Sequence, residues 1–478
     1  MNWQPVIGLE VHVQLATNSK LFSPSSTAFG AEPNMQAGAI DMAMPGALPV
    51  VNRAVVSLAL RFGLAIDADL DKESQFARKH YFYPDLPKAY QISQYDRPIL
   101  SHGKLAVHHN QQSREIGITR AHLEEDAGKS LHDYAPGESA IDLNRAGTPL
   151  LEIVSDPVIH SPDEAIAYLK ALHRLVRHLG ISDGDMSQGS MRCDANISLK
   201  KPQVEQLGAR VEIKNLNSFR FVHKALQHEI RRQALLLDRG ECIVQETRLY
   251  DSDRDQTRPM RGKEEARDYR YFPDPDLPPL TISQEQIDAE RGRMPELPQV
   301  RLERYLALGL AEQTAETLVE ERACAEYFDA LLEADCQPTL AANWMTGEIT
   351  AALNQAELDF AACPISPSKL AELLDLFAKG SINAATTREL FAQLLTQPEL
   401  DLAARIEAQG LAQMSDTDEL NAMVDEVIAA NQAQVAQYRS AAEDKRKKLI
   451  GFFVGQVMKA SRGKANPALV NKLLKEKL

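Results

Sequence analysis

Glu10 and His12 stand two residues apart in a run, Ile7 to Leu15, whose odd positions Ile7, Leu9, Val11, Val13 and Leu15 are all apolar. A period of two sends neighbouring side chains to opposite faces of a strand, so this carboxylate and imidazole share the face not given to the core. Met191 to Lys200 repeats the pattern: Met191, Cys193, Ala195, Ile197 and Leu199 alternate with Arg192, Asp194, Asn196, Ser198 and Lys200. Shorter copies surround Glu212 and Lys214 (Val211, Ile213) and Glu152 (Leu151, Ile153). Strand faces rich in carboxylates, imidazole and basic groups suit metal ions and phosphates. An enzyme cleft is the leading reading.

Glu125, in His122-Leu123-Glu124-Glu125-Asp126, is a further candidate acid. If Glu10, Glu125 and Asp194 converge, adjacent pairs repel by about 4 kcal/mol at 4 Å in an effective dielectric near 20. Protonating one acid or binding a cation relieves that repulsion, and oxygen ligands favour Mg²⁺ shared with substrate phosphates. Separate surface acids remain the open alternative, above all for Glu125 and Asp194. The run Phe76-Ala-Arg-Lys-His-Tyr-Phe-Tyr-Pro-Asp85 interleaves basic and aromatic residues, which suits phosphate neutralisation and base stacking or else a strand with a core aromatic face. Gly184 and Gly189 have phosphate-loop spacing, but Ser190 stands where the lysine would be and a strand follows. It is no P-loop, although amides near Gly189 and Ser190 can still cradle a phosphate. No nucleophile elbow and no H-E-x-x-H occurs, so the chain shows no means of hydrolysing an amide.

These residues need strands and helices to hold them. Ser161-Pro-Asp-Glu164 is a capping box with proline at the first helical position, and the apolar spacing predicts a helix closed by Gly180. A second helix is predicted from about Ser218 to Arg239. Strands and helices do not alternate regularly, so the expected class is α+β. Tyr271-Phe-Pro-Asp-Pro-Asp-Leu-Pro-Pro279 reads as the exit from a first domain. Beyond about 296 the chain is rich in Ala, Leu and Glu, with Thr314, Ser366 and Thr386 as helix caps, and a smaller helical unit begins near 410. The expected domains are therefore 1–295, 296–408 and 409–478.

The net charge of −14 argues against nucleic acid until its distribution is considered. From Ala441 to Leu478 ten Lys/Arg face three Asp/Glu, a basic tail on an acidic body and a plausible polyanion footprint, or else a solvated helix surface. Five scattered cysteines point to reduced thiols, and with no signal peptide and no run of roughly 20 apolar residues, a cytoplasmic protein with no membrane contact is expected.

Eight motifs carry a family resemblance. VIGLEVHVQL from Val6, RKHYFYPDLPKAYQISQYDRPI from Arg78, HLEEDAGKS from His122 and DLNRAGTPLLEIVSDP from Asp142 are the first four. GSMRCDANIS from Gly189, VEIKNLNSF from Val211, DYRYFPDPDLPPL from Asp268 and GFFVGQVMKASRGKANPALVNKLL from Gly451 follow in order. Together they resemble the B subunits of aspartyl/glutamyl-tRNA amidotransferases.

The resemblance implies an antiparallel-sheet cradle followed by an all-α domain and a small helical tail domain that binds tRNA. It implies a ligase that uses ATP and Mg²⁺ to phosphorylate the side-chain carboxylate of Asp-tRNA(Asn) or Glu-tRNA(Gln), which ammonia then amidates. The ammonia would come from an amidase, the A subunit, with a small C subunit joining the two. On this reading Glu10, His12, Glu125 and Asp194 form the metal shell. Glu10, His12, Glu125 and Lys79 are catalytic, while Lys79, Tyr81, Ser190, Arg192 and Lys214 bind ATP or the acyl group. Many members carry a cysteine zinc site, but the matching positions here are Ser23, Ser25, Gly38 and Asp41, so no zinc is expected. A non-catalytic tRNA-binding scaffold is the alternative.

Overall fold

The computed structural model describes all residues except 1–2, 110–111, 136, 261–268, 412–416, 442 and 462–464. Asp268 of the seventh motif and residues 462–464 of the basic tail thus lie outside the described residues. The chain divides into two compact units, Met1–Arg301 and Leu302–Leu478.

The strands of the first unit are, in chain order, β1 (Gln4–Gln14), β2 (Asp69–Leu70), β3 (Glu73–Ser74), β4 (Ala77–His80), β5 (Tyr90–Ser93), β6 (Leu100–His109), β7 (Gln112–Glu125) and β8 (Lys129–Ala135). They continue as β9 (Glu138–Asp142), β10 (Pro149–Ser155), β11 (Met191–Lys200), β12 (Val211–Leu216), β13 (Glu246–Asp251), β14 (Gln256–Pro259), β15 (Phe272–Pro273) and β16 (Leu280–Thr281). The helices are α1 (Arg53–Ala65), α2 (Pro162–His178), α3 (Phe219–Asp238) and α4 (Gln284–Arg291).

Nine strands form one sheet in the order β14-β13-β12-β11-β1-β10-β7-β6-β2, beside a three-stranded sheet β15-β4-β5. The class is α+β, and neighbours in the large sheet pair antiparallel with one exception. β12 and β13 are parallel. The connection between them contains α3, and a parallel pair needs such a crossover.

Alternation decides which side of the sheet is which. Ile7, Leu9, Val11 and Val13 of β1 are buried in one core with Phe62 of α1, Leu172 of α2 and Leu226 of α3. Burying each large aliphatic side chain is worth about 1.5–3 kcal/mol. A slip of one residue would exchange these for Glu10 and His12, so the hydrophobic set holds the register. Ser161 caps α2 by accepting from the Glu164 amide at 3.1 Å, and Gly180 follows the helix in the left-handed region at φ +65°. Ser218 caps α3 in the same way.

The proline-rich segment is no exit. Phe272 and Pro273 pair with Arg78 and Ala77 at the edge of the small sheet, and the unit continues to Arg301. An edge position tolerates proline, because the missing amide is not needed by a second neighbour.

The second unit is helical with two apolar cores. One contains Leu302, Phe328, Trp344, Leu370 and Leu390, the other Leu420, Phe453, Val457, Val470 and Leu474. Ser366 caps Pro367–Ala378 as expected, whereas Asn383 rather than Thr386 caps Ala384–Thr396 and Thr314 lies inside Glu312–Val319. No helix among the described residues is long and apolar enough to cross a membrane.

Candidate active site

The polar face of the large sheet is a grid set by register. His12 on β1 stands opposite Arg192 on β11 and Glu152 on β10, and Glu152 stands opposite His122 on β7. One step along, Glu10 stands opposite Asp194. Glu124 enters from β7 two residues beyond His122, on the same face.

The side chains meet. His12 Nε2 lies 3.3 Å from Glu152, 3.5 Å from Glu124 and 3.8 Å from Glu10. His122 Nε2 lies 3.4 Å from Glu152 and 3.8 Å from Glu124. Two overlapping sets, Glu10–His12–Glu152 and His122–Glu124–Glu152, each keep one ligand atom per residue within 4.8 Å of the others. Glu152 belongs to both.

Burial and the Glu152 charge push the Glu10 carboxyl up to about 7. Burial would lower the His12 imidazole, but its hydrogen bond to Glu152 and the surrounding carboxylates push it up to about 9. His122 is pushed up to about 9 by the same balance. Glu152 is held well below the usual carboxylate range, its burial outweighed by His122 and His12. Three carboxylates and two imidazoles, with His122, Glu124 and Glu152 buried, are a donor set that fits a divalent ion, whose charge would replace those protons.

Basic groups surround the acids. Lys214 contacts Asp194 at 2.7 Å and Glu212 at 3.0 Å. The Lys79 ammonium lies 5.0 Å from the ring centroid of Tyr269, and Glu124 and Glu152 help raise its pKa against the effect of burial. Arg192 donates to Asp126, which also accepts from Gln14 at 3.1 Å. Past Gln14 opens a cavity of about 530 Å³, lined by Asn144, Arg145, Ser187 and Ser190 among others.

A family model described as the GatB/GatE catalytic domain matches residues 5–288, and one described as the GatB domain matches 326–478. The chain belongs to the GatB family. Proteins named as the B subunit of aspartyl/glutamyl-tRNA(Asn/Gln) amidotransferase, from Azotobacter vinelandii and Ectopseudomonas mendocina, are each 53% identical to it over 480 residues, covering both chains completely. That from Coxiella burnetii is 53% identical over 482 residues, again across the whole of both. Each of these relatives is named as one subunit of an amidotransferase.

The grid brings Glu10 and His12 together; Asp194 stands opposite Glu10 but is paired with Lys214 and belongs to neither candidate ligand set. The grid does not bring in Glu125. That acid has the parity of the core residues Ala121 and Leu123, so it faces away from Glu124. It is buried against Lys88 and accepts from the Ile92 amide at 2.8 Å. The acid of this GatB motif that joins the cluster is Glu124. Glu152 and His122 escape the candidate set drawn from sequence, although the apolar neighbours Leu151, Ile153 and Leu123 assign both to the polar face. Tyr81 packs against Leu86, Leu143 and Ala146, its hydroxyl donating to Asp85 at 3.3 Å. Ser190 is a lining residue of the cavity.

Ser23, Ser25, Gly38 and Asp41 do converge. An added Cβ on Gly38 would lie 2.6 Å from Ser25 Oγ and 3.5 Å from Asp41 Oδ2. Asp41 accepts from Ser23 Oγ at 3.0 Å and the Gly38 amide at 2.8 Å, and it pairs with the Lys20 ammonium at 3.2 Å. Lys20 also donates to the Leu143 carbonyl at 3.2 Å. The one carboxylate here is engaged by an internal cation.

Proposed function

We propose that this chain activates the side-chain carboxylate of an aspartyl or glutamyl ester on tRNA for amidation. A carboxylate is a poor electrophile because its leaving group would be oxide. Its oxygen would attack the γ-phosphorus of ATP, releasing ADP and leaving an acyl phosphate. Ammonia would then attack the acyl carbon, inorganic phosphate would leave, and the nitrogen would lose a proton to give the amide. Phosphoryl transfer of this kind depends on positioning and charge neutralisation rather than on a protein nucleophile.

Glu10, His12, Glu124 and Glu152 would hold Mg²⁺, with His122 orienting the two carboxylates it touches. Bound Mg²⁺ supplies charge neutralisation for the phosphates. Lys79, facing the same acids, would neutralise the transferred phosphoryl group, while Arg192 and the Ser190 loop would steady the substrates. Ammonia comes in this reading from a glutaminase partner, the A subunit, with a small C subunit completing a heterotrimer in the cytoplasm. The 23–41 loop would need no zinc. One observation supports the catalytic role most strongly: His12 lies within 3.8 Å of three carboxylates from three different strands. A scaffold has no use for that concentration of charge.

In the assembled enzyme, Glu10→Ala and Glu152→Gln should abolish ADP release driven by aminoacyl-tRNA while tRNA binding persists. Full turnover in both variants would refute the assignment.

A further inference from the structure

An aromatic edge beside the acid cluster has no part in the chemistry above. Tyr95 and Tyr271 lie face to face, ring centroids 4.1 Å apart and planes 9° from parallel. Tyr269 meets Tyr271 at a steep angle, centroids 6.1 Å apart, and carries the Lys79 ammonium on its own ring. The stack borders the site. Burial raises the Tyr271 hydroxyl pKa, with Lys79 opposing and Glu124 and Glu152 adding to the rise. Ser93, two residues before Tyr95, donates to Glu124 at 3.3 Å.

Tyr95 is 49% exposed, and its hydroxyl has no hydrogen-bond partner among the described residues. One face is spent on Tyr271 and much of the rest is open to water. A rigid ring backed by a second ring, at the rim of a site lined with acids and Lys79, is the arrangement that takes up a flat heteroaromatic base.

We propose that Tyr95, backed by Tyr271, is a stacking shelf for an adenine base; this rests on the proposed ATP-dependent activation of an aminoacyl-tRNA. Adenine is carried by both substrates of that reaction, as the base of ATP and as the 3′-terminal base of tRNA. Lys79, which reaches from Tyr269 toward Glu124 and Glu152, links the shelf to the place where phosphate charge must be met.

The test uses the assembled enzyme with Tyr95→Leu, which keeps bulk and removes the ring, and Tyr95→Phe, which keeps the ring. Tyr95→Leu should raise the KM for one adenine-bearing substrate by at least about fivefold, and Tyr95→Phe should restore it. Two fluorescent probes identify the source, 1,N6-etheno-ATP and a tRNA ending in 2-aminopurine. The probe that stacks will be quenched on binding to the parent enzyme and to Tyr95→Phe, and far less with Tyr95→Leu. Unchanged KM values for both substrates, with equal quenching in all three proteins, would overturn the shelf. Loss of ADP release in Glu152→Gln, measured alongside, keeps that outcome separate from failure of the catalytic reading itself.

Discussion

The Glu10 carboxyl and the His12 imidazole both hold a proton more tightly than the free side chains, at about 7 and about 9. A divalent ion needs Glu10 ionised and His12 neutral. Binding should therefore release protons, and affinity should rise as pH goes from 7 to 9. Calorimetric titrations in buffers of different ionisation heat will check this; affinity independent of pH, with no proton release, would contradict the shared ligand set. The metal-free protein should respond in the opposite direction. His12 and His122 rise from 6.5 to about 9 on folding, so their contribution to stability is complete below pH 6.5 and lost as pH rises through 9. Urea midpoints in chelator should be lower at pH 9 than at pH 6. The neighbours Glu124 and Glu125 should separate cleanly. Glu124→Gln should cost divalent-ion affinity. Glu125→Gln leaves Lys88 without its carboxylate and should cost about 3–5 kcal/mol of stability with ion affinity retained. The choice between these two acids is legible in the sequence, because Leu123 fixes the parity of its neighbours. Which strand pairs with which is not, and His122 reaches the site only through the pairing of β7 with β10.

At the scale of elements, the strands carry the chemistry and the 16–52 loop is fixed by an internal ion pair. Lys20 is fully buried, and Gly147, at φ +84°, leaves room for it: an added Cβ would lie 2.8 Å from Asp41 Oδ1 and 3.3 Å from Lys20 Cδ. Removing one partner of a buried pair strands the other charge, whereas removing both does not. Lys20→Met should therefore destabilise by about 3–5 kcal/mol, and Lys20→Met with Asp41→Leu should recover much of that. Thermal melts of the two variants will check it; equal losses would contradict the pairing. The strands are legible in the sequence because burial on one face writes a period of two into it. Loop and edge behaviour is less so. Tyr271–Pro279 has the composition of a linker, yet Phe272 and Pro273 pair with β4, since an edge strand can contain proline.

Across the whole molecule, the acidic and basic parts of the chain belong to separate units. The acid cluster lies in Met1–Arg301, and the basic tail is carried by helices whose core, from Leu420 to Leu474, is distinct from the rest of its unit. Cutting the chain near 410 should leave the sheet intact, weaken tRNA binding and flatten its dependence on salt, because phosphate contacts set that slope. Filter-binding at several salt concentrations will check this; an unchanged slope would remove the tail from tRNA contact. The most direct test of the central claim is anomalous scattering from Mn²⁺ in crystals of the assembled enzyme with a non-hydrolysable ATP analogue. The expected result is an ion bound by His12 and Glu152, with Glu10 or Glu124 completing the protein ligands and the γ-phosphate alongside. An ion and nucleotide bound elsewhere, with His12, Glu124 and Glu152 left to one another, would contradict it.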